Sequence, residues 1–132
     1  MAENECYTYF IIKGRFNPDE ITKILGITPD RVKVMGDICR NGSKADEASW
    51  ECGLCNEYDP LVEKQMERTI ERLIGKEELL NQIRERTGAK LYLSVVPTVY
   101  AGGVNPCLAP SLKVIDFCHA TRTEIDIDLY VI

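Results

Sequence analysis

The sequence predicts an α+β domain, a two-layer sandwich in which helices cover one face of a mixed, mainly antiparallel sheet. Three observations carry that expectation. An aromatic and β-branched run at Tyr7–Lys13 reads as a buried strand. Asn17-Pro18 and Asp59-Pro60 each open an amphipathic helix, and the tail from Glu124 to Val131 alternates acidic with apolar residues. A chain of 132 residues is near the usual size of one domain, and no repeat or linker divides it, so residues 1–132 are expected to fold as one unit around one core.

The first strand, bounded by Gly14, is apolar at three consecutive positions, Phe10, Ile11 and Ile12, which predicts burial on both faces inside the sheet. After the Asx cap and first-turn proline, Asp19 and Glu20 sit over the positive end of a helix whose stripe is Ile21, Ile24 and Leu25 and whose stop is Gly26. Arg31 to Met35 alternates charged and apolar residues as a strand does, and Ala48 to Leu54 around Trp50 is its expected partner across a long connection. From Asp59 onward, Leu61, Val62, Met66, Ile70, Leu73 and Ile74 form a stripe that resumes at Leu79, Leu80 and Ile83, so the helix bends or divides at Gly75. Leu91, Leu93 and Val95 predict a strand ended by Pro97, followed by a long connection from Thr98 to Pro110. Ser111 is the expected cap of a last helix carrying Leu112, Ile115 and Cys118 or His119.

In the final strand Ile125, Ile127, Leu129 and Val131 point one way, against the helices, and Glu124, Asp126, Asp128 and Tyr130 point the other, into water. The resulting order, with right-handed crossovers, is ferredoxin-like with an added helix–strand unit.

Composition narrows the function. Hydrophobic residues make up 45% and charged residues 28%, which suits a globular chain. A net charge of -5 argues against nucleic acid, whose phosphates demand clustered cations. No apolar run is long enough to cross a bilayer, and Met-Ala-Glu-Asn-Glu at the start lacks the features of a secretory signal, so the expected place is the cytoplasm, away from membranes. Six cysteines, Cys6, Cys39, Cys52, Cys55, Cys107 and Cys118, are expected to be free thiols there.

The order of motifs resembles the bacterial family called domain of unknown function 4279. The resemblance rests on Tyr9-Phe10-Ile11-Ile12-Lys13-Gly14, on Phe16-Asn17-Pro18-Asp19-Glu20-Ile21 running into Leu25-Gly26-Ile27-Thr28-Pro29, on the lone Trp50, and on Ile125-Asp126-Ile127-Asp128-Leu129-Tyr130. It implies a small cytoplasmic α+β domain with no assigned reaction. The cysteines, including Cys52 and Cys55, depart from the family pattern.

Candidate functional residues follow from chemistry alone. Cys52-Gly53-Leu54-Cys55 has the spacing of a zinc or redox pair, yet a structural zinc needs four ligands and no second pair exists. His119, the one histidine, adjoins Cys118, but adjacent helical residues diverge by about 100° and cannot form a dyad. Trp50 and Arg40 are residue types that anchor binding hot spots. Glu124, Asp126, Asp128 and Tyr130 line one strand face, suited to a cationic partner or to an edge kept in water.

The favoured reading is a non-catalytic binding module without a cofactor. It engages a protein or small molecule through Arg40, Trp50, Glu124, Asp126, Asp128 and Tyr130, and one version is an immunity-type partner of a basic toxin. The alternatives are a metal- or thiol-dependent protein using Cys52 and Cys55 or the carboxylate row, and a homo-oligomer.

Overall fold

The computed structural model describes residues 3–132. Within them the chain order is β1 (Glu5–Gly14), α1 (Pro18–Leu25), β2 (Arg31–Lys33), β3 (Ala48–Cys55), α2 (Val62–Ile70), a 3₁₀ turn (Glu71–Leu73), α3 (Glu77–Thr87), β4 (Lys90–Val99), α4 (Leu112–Thr121), β5 (Glu124–Ile127) and β6 (Tyr130–Val131). The strands form one sheet in the order β2-β3-β1-β4-β5, with β6 also on β4. β1 pairs antiparallel with β3 and β4, β2 pairs antiparallel with β3, and β5 and β6 lie parallel to β4. The first four strands thus take the ferredoxin-like order, and α4–β5 adds a parallel crossover at one edge. No helix among the described residues is long and apolar enough to cross a membrane.

Local chemistry sets the helix ends. Asn17 accepts a hydrogen bond from the Asp19 amide at 3.0 Å, Pro18 occupies the first turn, and Gly26 at φ +67° closes α1 on the Thr22 carbonyl. The stripe after Asp59 divides at Gly75 into α2 and α3. All helices pack on the same side of the sheet, burying Phe10, Ile12, Trp50, Leu91, Leu93 and Val95 against Ile21, Leu25, Met66, Ile70, Leu80 and Ile83. Ile11, on the opposite face of β1, is also buried, as its place inside the sheet predicts.

One contact fixes the separation of the layers. The register of β1 on β3 slips between Phe10↔Cys52 and Thr8↔Cys55, and Gly53 at φ +72° forms the bulge. There α2 comes so close that a Cβ on Gly53 would stand 2.2 Å from the Thr69 carbonyl oxygen. Buried hydroxyls hold the approach: Thr69 Oγ1 donates to the Gly53 carbonyl at 2.7 Å, and Thr8 Oγ1 lies 2.7 Å from Thr69 Oγ1 and 3.2 Å from the Gln65 carbonyl. Gln65, fully buried, donates through Nε2 to the Cys6 and Cys55 carbonyls at 2.9 and 3.3 Å and accepts the Asp59 amide at 3.1 Å. Each polar group taken from water here is paired, the condition under which such burial is tolerated.

Three boundaries differ from the sequence reading. β2 is only Arg31–Lys33, because Asp37 Oδ2 takes the Val34 amide at 2.9 Å and turns the chain away. β4 runs through Pro97 to Val99. Pro97 pairs with Cys6 of β1, but its missing N–H falls on the tail side, and pairing with the tail lapses there between Val95↔Ile127 and Thr98↔Tyr130. The expected single last strand is therefore β5 and β6. The apolar side of that tail is a fourth departure, one of burial. Only Ile125 packs on the core, while Ile127, Leu129 and Val131 are 42%, 50% and 72% exposed, because no helix extends over this margin of the sheet.

Gly53→Ala is expected to cost about 3 kcal/mol or more, combining the positive-φ penalty with a backbone collision. Gly26→Ala, also at positive φ but with open space around its Cβ, should cost only about 1 kcal/mol, and urea denaturation of the two variants separates strain from contact.

Candidate partner-binding surface

With every helix on one side, the other face of the sheet is open, and strand alternation decides what it carries. β1 contributes Tyr7, Tyr9, Ile11 and Lys13, and β4 contributes Tyr92, Ser94 and Val96. One row crosses five strands in register as Arg31, Glu51, Ile11, Tyr92 and Glu124. The face is therefore basic at the β2 margin, with Arg31 and Lys33, tyrosine-rich in the middle, and acidic at the β5 margin.

Tyr7 and Tyr9 stack with ring centroids 6.1 Å apart and an interplanar angle of 16°, and Lys13 Nζ stands 5.6 Å from the centre of the Tyr92 ring. Arg31 reaches across to Glu51 with two bonds of 2.9 and 3.1 Å, and this pairing raises the guanidinium pKa further. Two depressions of about 500 and 340 Å³ lie over this part of the face. The larger is floored by Tyr9, Ile11, Lys13 and Glu51, and the smaller by Tyr7, Tyr9, Arg31 and Leu54.

The expected acidic face of the tail is where the sequence put it. Glu124 and Asp126 pair in register with Tyr92 and Ser94 and share their outward direction, and Glu124, Asp126, Asp128 and Tyr130 are all exposed. The Tyr130 hydroxyl donates to Asp128 Oδ2 at 3.1 Å, and that bond, together with the carboxylate charge, raises the phenol pKa. Arg40 is exposed in the turn beyond β2, outside the sheet face.

Trp50 has to be removed from the binding residues. It is fully buried on the helix side of β3, with its indole Nε1 donating to Thr22 Oγ1 at 3.0 Å, so it anchors α1 to the sheet and touches no partner. Strand parity explains this: Ala48, Trp50 and Cys52 share the inward face, and Ser49 and Glu51 share the outward one. The open-face residues that sequence reading passed over are Tyr7, Tyr9, Lys13, Arg31 and Tyr92. Their signal was present, since Tyr92 sits at the parity opposite to Leu91 and Leu93.

The Gly53 bulge turns both Cys52 and Cys55 toward the helix layer, opposite Phe10 and Thr8. Cys52 is buried there, Cys55 is half-buried with Sγ 4.0 Å from Gln65 Nε2, and among the described residues no three His, Cys, Asp or Glu side chains gather closely enough to hold a metal ion. Burial pushes the Cys52 thiol up to about 12, and those of Cys6 and Cys118 to about 11, away from the thiolate form that metal binding and nucleophilic attack require.

Residues 4–132 match the family model described as "Domain of unknown function (DUF4279)". No curated protein and no solved structure matches the chain.

The thiols supply a direct check on the packing. In the native protein a thiol reagent should modify Cys107 and Cys39 first and Cys55 slowly, leaving Cys6, Cys52 and Cys118 for unfolding. Because burial raises these three pKa values above those of the unfolded chain, their contribution is fully present below the unfolded thiol range. It is lost as pH climbs from about 9 toward the folded values, as the unfolded chain ionises first. Thermal melts across that range should fall more steeply for the natural chain than for Cys52→Ala.

Proposed function

The chain belongs to the family described as a domain of unknown function (DUF4279). That description assigns no chemistry, and we propose from the layout of the sheet that the domain is a non-catalytic module binding a protein partner on its open face. The one-sided helix layer carries this reading, because it leaves Tyr7, Tyr9, Tyr92 and Tyr130 uncovered between a basic and an acidic margin. Stacked tyrosines offer rigid, amphipathic contact area at low entropic cost, and opposite charges at the two margins fix the orientation of whatever lies between them. Both depressions open onto the broad sheet face, and the larger is lined mainly by charged and polar side chains, which suits a protein surface better than the mostly apolar enclosure a small molecule takes.

A narrower form of the proposal is an immunity-type role, in which the acidic margin of Glu124, Asp126 and Asp128 lies against a basic toxin. The net charge of -5 and the lack of an ion-pair partner for those carboxylates among the described residues favour it. Cysteines that stand unpaired suit a reducing compartment, and the proposal sets the module in the cytoplasm. The alternative of metal or thiol chemistry draws less support, since Cys52 is buried with a raised pKa and Asp126 and Asp128 stand exposed on an edge.

The test is a photo-crosslinking amino acid placed at Tyr9 or Tyr92, with the exposed α3 position Glu85 as the control, in cells that make the protein natively. Adducts to one heterologous protein from Tyr9 and Tyr92 but not from Glu85 are expected. Adducts from Glu85 alone, or none from the sheet face, overturn the proposal. For the narrower form, co-expression with a basic toxin encoded beside this chain should restore growth, and Asp126→Lys should weaken the rescue.

A further inference from the structure

The two edges of the sheet are matched to each other, and from that match we propose that the chain associates head to tail, the β2 edge of one copy adding to the β5–β6 edge of the next. This goes beyond the open-face reading, because it uses the strand edges and the apolar residues on the helix side.

Directions come first. β1 and β2 run one way and β3, β4 and β5 the other, so a second copy set beside the first in the same orientation brings its β2 antiparallel to β5 with both open faces on one side. Both edges are free. β2 pairs only with β3, and β5 and β6 pair only with β4. In the tail the Asp128 amide donates inward to the Val95 carbonyl and the Ile132 amide to Val99, so by strand alternation the amides of Ile127 and Leu129 face outward.

Side chains then select the register. On the open face β2 offers Arg31 and Lys33 while β5 offers Asp126 and Glu124, with Asp128 following. On the other side β2 offers Val32 and continues into Val34, 43% and 49% exposed, against the uncovered Ile127 and the half-covered Ile125. The antiparallel alignment with Arg31 opposite Asp128, Val32 opposite Ile127, Lys33 opposite Asp126 and Val34 opposite Ile125 gives both cations a carboxylate and both valines an apolar partner, where a slip of two residues either way matches fewer positions. The symmetric alternatives fail on charge, because a two-fold pairing of β5 with itself sets carboxylates against carboxylates and a two-fold pairing of β2 sets cations against cations. Arg31 is already engaged by Glu51, and Asp37 holds the Val34 amide, so Lys33 with Asp126 is the pair on which selectivity rests.

Sedimentation equilibrium from micromolar to millimolar protein at low salt should show the mean mass rising with concentration, and about 0.5 M salt, which shortens screening to about 4 Å, should reduce it. Lys33→Glu and Asp126→Lys, both at exposed positions, should each weaken association by about tenfold or more while keeping the melting temperature of the natural chain. An equimolar mixture of the two variants should associate again, since the reversed β2 edge of one then meets the reversed β5 edge of the other. A monomer at every concentration overturns the proposal. So does association that neither reversal weakens, or a mixture that stays apart.

Discussion

The close approach of α2 to the sheet at Gly53 is the constraint on which the rest of the molecule depends. A helix normally stands about 10 Å from a sheet, held off by side chains on both surfaces. Here one strand residue without a side chain lets the Thr69 backbone reach the β3 backbone directly. The bulge that accompanies it returns Cys55 to the inward face opposite Thr8, and the Thr8–Thr69–Gln65 hydrogen bonds satisfy the groups it leaves unpaired. The right-handed crossovers from β1 to β2, β3 to β4 and β4 to β5 then bring α1 and α4 to the same side as α2. The open face is thus a consequence of where the helices are pinned.

That consequence explains why the same strands carry two unlike patterns. Inward positions of β1, β3 and β4 are mostly apolar and buried, with Thr8 the polar exception bonded to α2, whereas outward positions mix tyrosines, Lys13 and Glu51. Ile11, Ser94 and Val96 are nevertheless buried on the outward side, each in register with Tyr92, Tyr9 or Tyr7 on the adjoining strand. The tyrosines therefore do two jobs: they shield the middle of the sheet from water and still present ring faces and hydroxyls outward.

What could be read from the sequence follows the same division between direction and depth. Period-two alternation assigns each strand residue to a side, and it did so for Glu124, Asp126 and Asp128, whose side chains point away from the helices as their spacing demands. Alternation says nothing about whether a neighbour covers that side. Ile127, Leu129 and Val131 read as core by pattern and stand exposed, because among the described residues no helix lies over the tail past Ile125. Helix signals were more complete, since Asn17-Pro18 and Gly26 state where α1 begins and ends in backbone chemistry that needs no tertiary partner. Trp50 shows the converse error. Its residue type suggested a hot spot, but its parity with Ala48 and Cys52 already placed it inward, and parity outranks residue type within a strand.

Gly53 lies between Cys52 and Cys55, whose spacing is that of a zinc or redox pair. A glycine inside a strand pattern is itself a signal of a bulge or a close backbone approach, and here it is both. The two readings of that tetrapeptide compete physically. Setting Gly53 under the Thr69 carbonyl places Cys52 in the core beside Phe10 and leaves Cys55 against Gln65, and among the described residues no group of three His, Cys, Asp or Glu gathers there. The packing that holds the helix layer to the sheet is therefore what turns both sulfurs inward, and it leaves the other face and the two edges of the sheet exposed.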